Sequence, residues 1–112
     1  MRKTTPLQAP KERKGKPPLE LLPPGPLEDM ASVLGYGAAK YHANSWRPGL
    51  PWTQLIGAAL RHIFRWLEGE DKDPESGFPH LAHAATNLLF LLSHAKTGAG
   101  RDDRWRPRRP RR

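Results

Sequence analysis

The sequence predicts an all-α fold: a short helical bundle of three main helices, completed by oligomerisation and flanked by disordered basic termini. Three observations lead there. Apolar residues recur at helical spacing in three stretches, each opened by a proline: Pro26, Pro51 and Pro79. No stretch alternates apolar and polar residues with the period of two that a half-buried strand shows. The 112-residue chain carries +8 overall, but residues 1–18 hold six Lys/Arg against one Glu, and residues 101–112 hold seven Arg against two Asp. Each end is thus +5, which leaves −2 for residues 19–100.

Taken in order, residues 1–18 read as a disordered arm. Seven prolines fall within residues 1–26; proline lacks a backbone N–H and disfavours helix in the residue before it. Leu19, Leu21 and Leu22 are expected to pack the next stretch against the body. The first helix is expected over 26–41, with Glu28 and Asp29 suiting its positive end and Lys40 its negative end. Gly35 and Gly37 weaken it and are expected to bend or end it near Tyr36. The second helix is expected over 51–68, stopped by Gly69. Leu55, Ile56, Ala59, Leu60, Ile63, Trp66 and Leu67 share one broad apolar arc opposite Gln54, Arg61, Arg65 and Glu68. The third is expected over 79–96, closed by Gly98. Leu81, Ala84, Ala85, Leu88, Leu89, Leu91 and Leu92 make it apolar over more than half its circumference. One three-helix subunit has too little core to bury that surface, so pairing between subunits is expected. Residues 99–112 read as a second disordered tail, leaving 19–98 as the one domain.

Several classes are excluded or demoted. No apolar run approaches the roughly 18–20 residues of a membrane span, and the charged N-terminus has no apolar signal core. Cysteine is absent, which removes disulfide scaffolds, thiolate catalysis and Cys-ligated zinc. A cytoplasmic protein fits. No Walker loop, GxGxxG, nucleophile elbow or HExxH is present.

Four constellations have the residue types for chemistry. The loop after the second helix packs Glu68, Glu70, Asp71, Asp73 and Glu75 into eight residues. Their mutual repulsion calls for a cation, and hard oxygen ligands suit Mg²⁺, Mn²⁺ or Ca²⁺; a solvated connection between helices is the bland alternative. His80, His83, Asn87 and His94 fall within roughly 60° of one helix face, with His94 expected to be exposed near the helix end. A polar stripe through an apolar helix needs partners, because buried polar groups are costly alone. His62, beside Arg61, sits at the edge of the apolar arc, where core histidines are common. Around the Gly-rich bend, Tyr36, Lys40, Tyr41, Asn44, Trp46 and Arg47 combine aromatic faces with a cation and an amide, a set able to hold a base and phosphates.

The motifs occur in a fixed order: Lys16-Pro17-Pro18-Leu19-Glu20-Leu21-Leu22-Pro23, Tyr36-Gly37-Ala38-Ala39-Lys40-Tyr41, Asn44-Ser45-Trp46, Ala58-Ala59-Leu60-Arg61-His62, Gly69-Glu70-Asp71-Lys72-Asp73-Pro74-Glu75-Ser76-Gly77 and His80-Leu81-Ala82-His83-Ala84-Ala85-Thr86-Asn87. This series resembles the phage and bacterial family called the dATP/dGTP diphosphohydrolase N-terminal domain, over about residues 16–96. The family is in turn similar to the MazG-like all-α nucleoside triphosphate pyrophosphohydrolases. The resemblance implies hydrolysis of a purine deoxynucleoside triphosphate, dATP or dGTP, to the monophosphate and pyrophosphate. Relatives of the MazG type bind Mg²⁺ through an ExxE motif on one helix and an ExxD motif on another. The matching helices here offer instead Arg61-His62, and His83 with Asn87.

Under that reading the implied cofactor is a divalent metal, Mg²⁺ or Mn²⁺, held by some of Glu70, Asp71, Asp73, Glu75, His80 and His83. His62, Glu70 and His83 are the candidates for acid–base work. Lys40, Tyr41, Asn44, Trp46, Arg61 and Asn87 are the candidates for contact with the nucleotide. The expected partners are the deoxynucleoside triphosphate and further copies of the chain, as a dimer or tetramer, with weak nucleic-acid binding by the tails and no membrane. Two other readings compete: a catalytically degenerate helical interaction module, and a nucleic-acid-binding accessory protein that uses its basic ends.

Overall fold

The computed structural model describes residues 15–107; the outer parts of the expected arm and tail, 1–14 and 108–112, lie outside them. A short 3-10 turn, Leu19–Leu21, precedes three helices: α1 (Pro24–Lys40), α2 (Trp52–Leu67) and α3 (His80–Thr97). Each lies within two residues of its expected bounds, and there is no strand among the described residues. No helix among them is long and apolar enough to cross a membrane. The shared element is α3: α2 packs along it as a hairpin and α1 packs against it separately.

The core is small. Val33 of α1, Leu55 and Ala59 of α2, and Ala82 and Ala84 of α3 are its buried apolar residues, joined by buried His80, Thr86 and His94. Three of the five apolar residues are alanines, which fill little space between the helices. Thr86 satisfies its hydroxyl on the Ala82 carbonyl at 2.8 Å. Gly98, with φ +81°, ends α3 by donating its N–H to the His94 carbonyl at 2.7 Å.

Helix α1 corrects one expectation. It runs through Gly35 and Gly37 without interruption to Lys40. Glycine costs a helix about 1 kcal/mol each, but Val33 is buried, and the last turns are tied to the loop after α2 through Tyr36 and Lys40. A second correction concerns the N-terminal leucines. Leu19 and Leu21 are 71% and 61% exposed; the turn closes on its own backbone, from Leu22 N–H to the Leu19 carbonyl, and leaves them in solvent.

The first residues of the expected tail are bonded to the start of α2. Pro51 gives that helix no capping side chain. The Trp52 N–H reaches the Arg101 carbonyl at 2.9 Å. Asp103 accepts from the Thr53 N–H at 2.9 Å and from its hydroxyl at 2.7 Å, and the Trp52 indole donates to the Ala99 carbonyl at 3.1 Å. Residues 99–103 thus supply acceptors for first-turn donors that would otherwise lack partners.

Gly49 and Gly100 make this contact possible. Their φ values are +109° and +76°, and a Cβ on Gly49 would fall on the backbone of Gly100. Gly49→Ala is therefore expected to cost at least about 2 kcal/mol, from strain and overpacking together. Gly35→Ala, with open space around the new Cβ, should instead stabilise by about 0.5–1 kcal/mol. Thermal unfolding of the two variants, monitored by helical circular dichroism, checks the opposite signs.

An apolar stripe remains uncovered. Ile56, Leu60, Phe64 and Leu67 on α2, and Leu81, Leu88, Leu89 and Leu92 on α3, are all exposed, Phe64 to 57% and Leu67 to 66%. At about 100° per residue, both stripes lie opposite the faces that carry His62 and His83.

Candidate active site

A cavity of about 590 Å³ opens between α1, the following 41–50 segment and the α2–α3 hairpin. That volume lies within the usual range for small-molecule sites. Its lining combines apolar side chains, Val33, Leu34, Leu50 and Phe90, with ionisable ones, Lys40, His62, Asp73, Glu75 and His83. The lining follows from the helix faces: α3 presents His83, Thr86 and Phe90 to the cavity at helical spacing, while α2 presents His62.

The ionisable lining begins with the loop between α2 and α3. Asp73 accepts the Ser76 N–H at 3.3 Å, the Asp73 N–H reaches the Phe78 carbonyl at 2.8 Å, and the Gly77 N–H returns to the Asp73 carbonyl at 2.7 Å. These bonds close the loop tightly and aim Asp73 and Glu75 at the cavity. Glu75 accepts from Lys40 at 3.0 Å and from the Tyr36 hydroxyl at 3.1 Å. Hydrogen bonds from Lys40 and then Tyr36 hold the Glu75 carboxyl below its ordinary pKa. Burial pushes Asp73 up, but Ser76 and the neighbouring backbone N–H groups outweigh it and bring it below the usual value. Local donors thus offset the repulsion expected from crowded carboxylates.

The histidines form a packed cluster. His62 and His83 stack at 4.5 Å with their planes 9° apart. His62 Nδ1 lies 2.9 Å from His80 Nδ1, and His80 Nε2 lies 2.7 Å from Glu70 Oε1. His83 Nε2 shares a hydrogen bond of 2.7 Å with the Ser76 hydroxyl and stands 3.6 Å from Asp73 Oδ2. Burial lowers the pKa of both His62 and His83; for His62 the neighbouring His83 and His80 lower it further.

The other expected site residues fall in different places. Tyr41 lines the cavity but is largely exposed. Trp46 lines it too, with one ring face stacked on Phe90 at 4.5 Å and the Arg47 guanidinium 4.7 Å from its ring centre. Stacking a base on Trp46 would therefore require displacing Phe90 or Arg47. Asn44 accepts from Arg47 at 2.6 Å, and Asn87 donates to the His83 carbonyl at 3.0 Å. Neither Asn44, Asn87 nor Arg61 lines the cavity. His94, expected to be exposed, is 1% exposed, with Trp46 folded over it and its Nε2 unpartnered among the described residues. The sequence reading missed the site roles of Ser76 and Phe90. Phe90 lies seven residues beyond His83, on the same helix face, and that spacing was the available signal.

The donor set bears on the metal. Among the described residues, no three His, Asp or Glu side chains are arranged to hold one ion. Glu70 is engaged with His80, and Asp71 is exposed with its carbonyl accepting the His80 N–H at 2.9 Å. The six expected ligands do not converge on one point among the described residues. Asp73 and Glu75 stand on the cavity wall, Glu75 with one oxygen bonded to Lys40 and Tyr36, and one or two carboxylates are what Mg²⁺ commonly takes when substrate phosphates complete its shell.

The two lowered histidines give stability a pH dependence. Each binds its proton more weakly when folded than when unfolded. Their contribution is complete above the ordinary value of 6.5 and declines as pH falls through it towards the lower folded value. The melting temperature is expected to drop between pH 7.5 and 5, and less steeply in a His83→Gln variant. Equal slopes in parent and variant would contradict this origin.

The family described as "dATP/dGTP diphosphohydrolase, N-terminal" matches residues 7–104. A protein of Salmonella phage PMBT28 named dATP/dGTP diphosphohydrolase is 38% identical over 90 residues, which cover 80% of this chain and 31% of that relative. The chain thus spans less than a third of the relative's length. No solved structure matches. With a family match over nearly the whole chain, from the first proline-rich residues to the segment that caps α2, the chain belongs to the dATP/dGTP diphosphohydrolase N-terminal family.

Proposed function

We propose that the chain hydrolyses a purine deoxynucleoside triphosphate, dATP or dGTP, to the monophosphate and pyrophosphate, taking the nucleotide as its Mg²⁺ or Mn²⁺ complex in the cytoplasm of a bacterial or phage-infected cell. The observation that carries the reading is a cavity that combines apolar side chains such as Phe90 and Leu50 with the ionic group Asp73, Glu75 and Lys40, in a chain of this family. The apolar side chains suit a base and sugar. Two carboxylates in the lining would repel a bare triphosphate, so a cation must arrive with it. That ion, when bound, neutralises phosphate oxygens and makes the phosphorus more open to attack. Asp73 and Glu75 would face it, Lys40 would pair with a phosphate oxygen, and His62 or His83 would take a proton from the attacking water.

The proposal includes a second copy of the chain. The uncovered stripe on α2 and α3, eight exposed apolar side chains from Ile56 to Leu92, is the surface a second copy would cover. A helical interaction module without catalysis is the second reading, favoured by that stripe and by the lack of three converging ligands among the described residues. Incubation with each deoxynucleoside triphosphate, with Mg²⁺, Mn²⁺ or a chelator, separates the two. The enzyme reading expects metal-dependent monophosphate and pyrophosphate from dATP or dGTP; no turnover with any of the four favours the module.

A further inference from the structure

We propose that Glu70, His80 and His62 form a proton relay that makes His62 Nε2 the base for the attacking water, with Glu70 and His80 acting through His62 and not on the nucleotide or its metal. The proposal rests on the hydrolytic reading above and gives it a base. The chain of contacts is continuous: Glu70 Oε1 to His80 Nε2 at 2.7 Å, then His80 Nδ1 to His62 Nδ1 at 2.9 Å. His80 is almost fully buried, and Glu70 is its acceptor at the outer end. His62 lines the cavity, and its Nε2 has no hydrogen-bond partner among the described residues.

Proton positions follow from the donor inventory. A carboxylate only accepts, so His80 Nε2 carries a hydrogen. Two nitrogens 2.9 Å apart share one proton between them. With that proton on His62 Nδ1, both rings are neutral and His62 Nε2 presents a free lone pair. With it on His80 Nδ1, His80 is an imidazolium against the Glu70 carboxylate, and neutral His62 carries its hydrogen on Nε2. These two arrangements are the states before and after His62 takes up a proton from the cavity.

The step balances. An O–H bond of water breaks and an N–H bond forms at His62 Nε2, while the water oxygen's electron pair forms the bond to the α-phosphorus. The bond from that phosphorus to the bridging oxygen breaks, and pyrophosphate leaves with the electron pair. The Nδ1–H proton of His62 passes to His80 Nδ1, so the positive charge comes to rest beside Glu70. His62 is poorly placed to keep it: burial and the two neighbouring imidazoles disfavour its charged form. The stacked His83 ring holds the His62 plane in place. An acidic group orienting a histidine and stabilising its charged form is an established device for activating a nucleophile.

Two measurements on the full chain test the relay. Long-range ¹H–¹⁵N correlation of histidine-labelled protein at pH 7.5 should show His80 with its hydrogen on Nε2 and His62 with its hydrogen on Nδ1. Glu70→Gln should lower kcat for dATP or dGTP at least ~10-fold, with KM and the Mg²⁺ concentration for half-maximal rate little changed, and Glu70→Asp should recover part of the loss. A resting His62 with its hydrogen on Nε2 overturns the relay even if hydrolysis is intact. A Glu70→Gln variant that mainly raises the Mg²⁺ requirement overturns it in favour of a metal ligand. Expected tautomers in a parent without turnover would instead sink the hydrolytic reading, and the base role of His62 with it.

Discussion

Asp73→Asn is expected to reduce deoxynucleoside triphosphate hydrolysis at least ~100-fold, within the range for loss of a group that positions a catalytic water or ion. The carboxylate lies on the cavity wall, 3.6 Å from His83 and in the same lining as Glu75 and Lys40. The substitution is close to isosteric, so shape survives while charge is lost. Stability should fall as well. Hydrogen bonds hold the Asp73 carboxyl below its ordinary pKa, which means that the folded loop favours the charged form. Losing part of one such bond costs about 1 kcal/mol, or roughly 4–8 °C in melting temperature for a domain of this size. Asp103→Asn is the control. It weakens the acceptors at the start of α2 by a similar amount but lies outside the cavity, so it should lower the melting temperature and leave turnover intact. Steady-state rates beside melting curves for both variants separate a site effect from a folding effect.

The second large effect concerns association. The parent chain should sediment as a dimer or larger particle at micromolar concentration in ~0.3 M salt, where long-range charge effects are screened. Leu88→Asp, placed within the exposed stripe of α3, should weaken association at least ~1,000-fold. A desolvated carboxylate without a partner costs several kcal/mol, and a two-fold interface repeats the insult in each copy. Phe64→Asp on α2 should do the same. Both residues are exposed in the single chain and lie away from the cavity, so helical content should survive. A parent that stays monomeric, with both variants unchanged, would contradict the paired arrangement.

The fold was legible because its signals are local. Pro51 and Pro79, with Gly69 and Gly98, bracket α2 and α3 within two residues, and apolar spacing marks the faces between. The exceptions arose where distant residues decide. Gly35 and Gly37 read as breakers, yet α1 is held by Val33 in the core and by Glu75 reaching Tyr36 and Lys40 across 39 and 35 residues. Residues 99–103 read as tail because their polar composition says nothing of the unfilled donors on Trp52 and Thr53. His94 read as exposed because only the fold shows Trp46 closing over it.

The candidate site was legible as a set of residue types and less so as a geometry. Asp73, Glu75, Lys40, His62 and His83 do line one cavity. Spacing on α3 grouped His83 with Asn87, but Asn87 turns back to the carbonyl of its own helix. Glu70 and His80 were grouped with the ligands of an ion, whereas they bond to each other. Glu70 turns to His80 while Asp73 and Glu75 line the cavity, and the sequence does not record which way each carboxylate turns.

The most direct test of the central claim is ³¹P NMR of the products when the chain turns over dATP or dGTP with Mg²⁺ in ¹⁸O-enriched water. Attack at the α-phosphorus predicts deoxynucleoside monophosphate carrying the isotope shift, beside unlabelled pyrophosphate in equal amount. Label in pyrophosphate or in inorganic phosphate, or no product from either nucleotide, would contradict it.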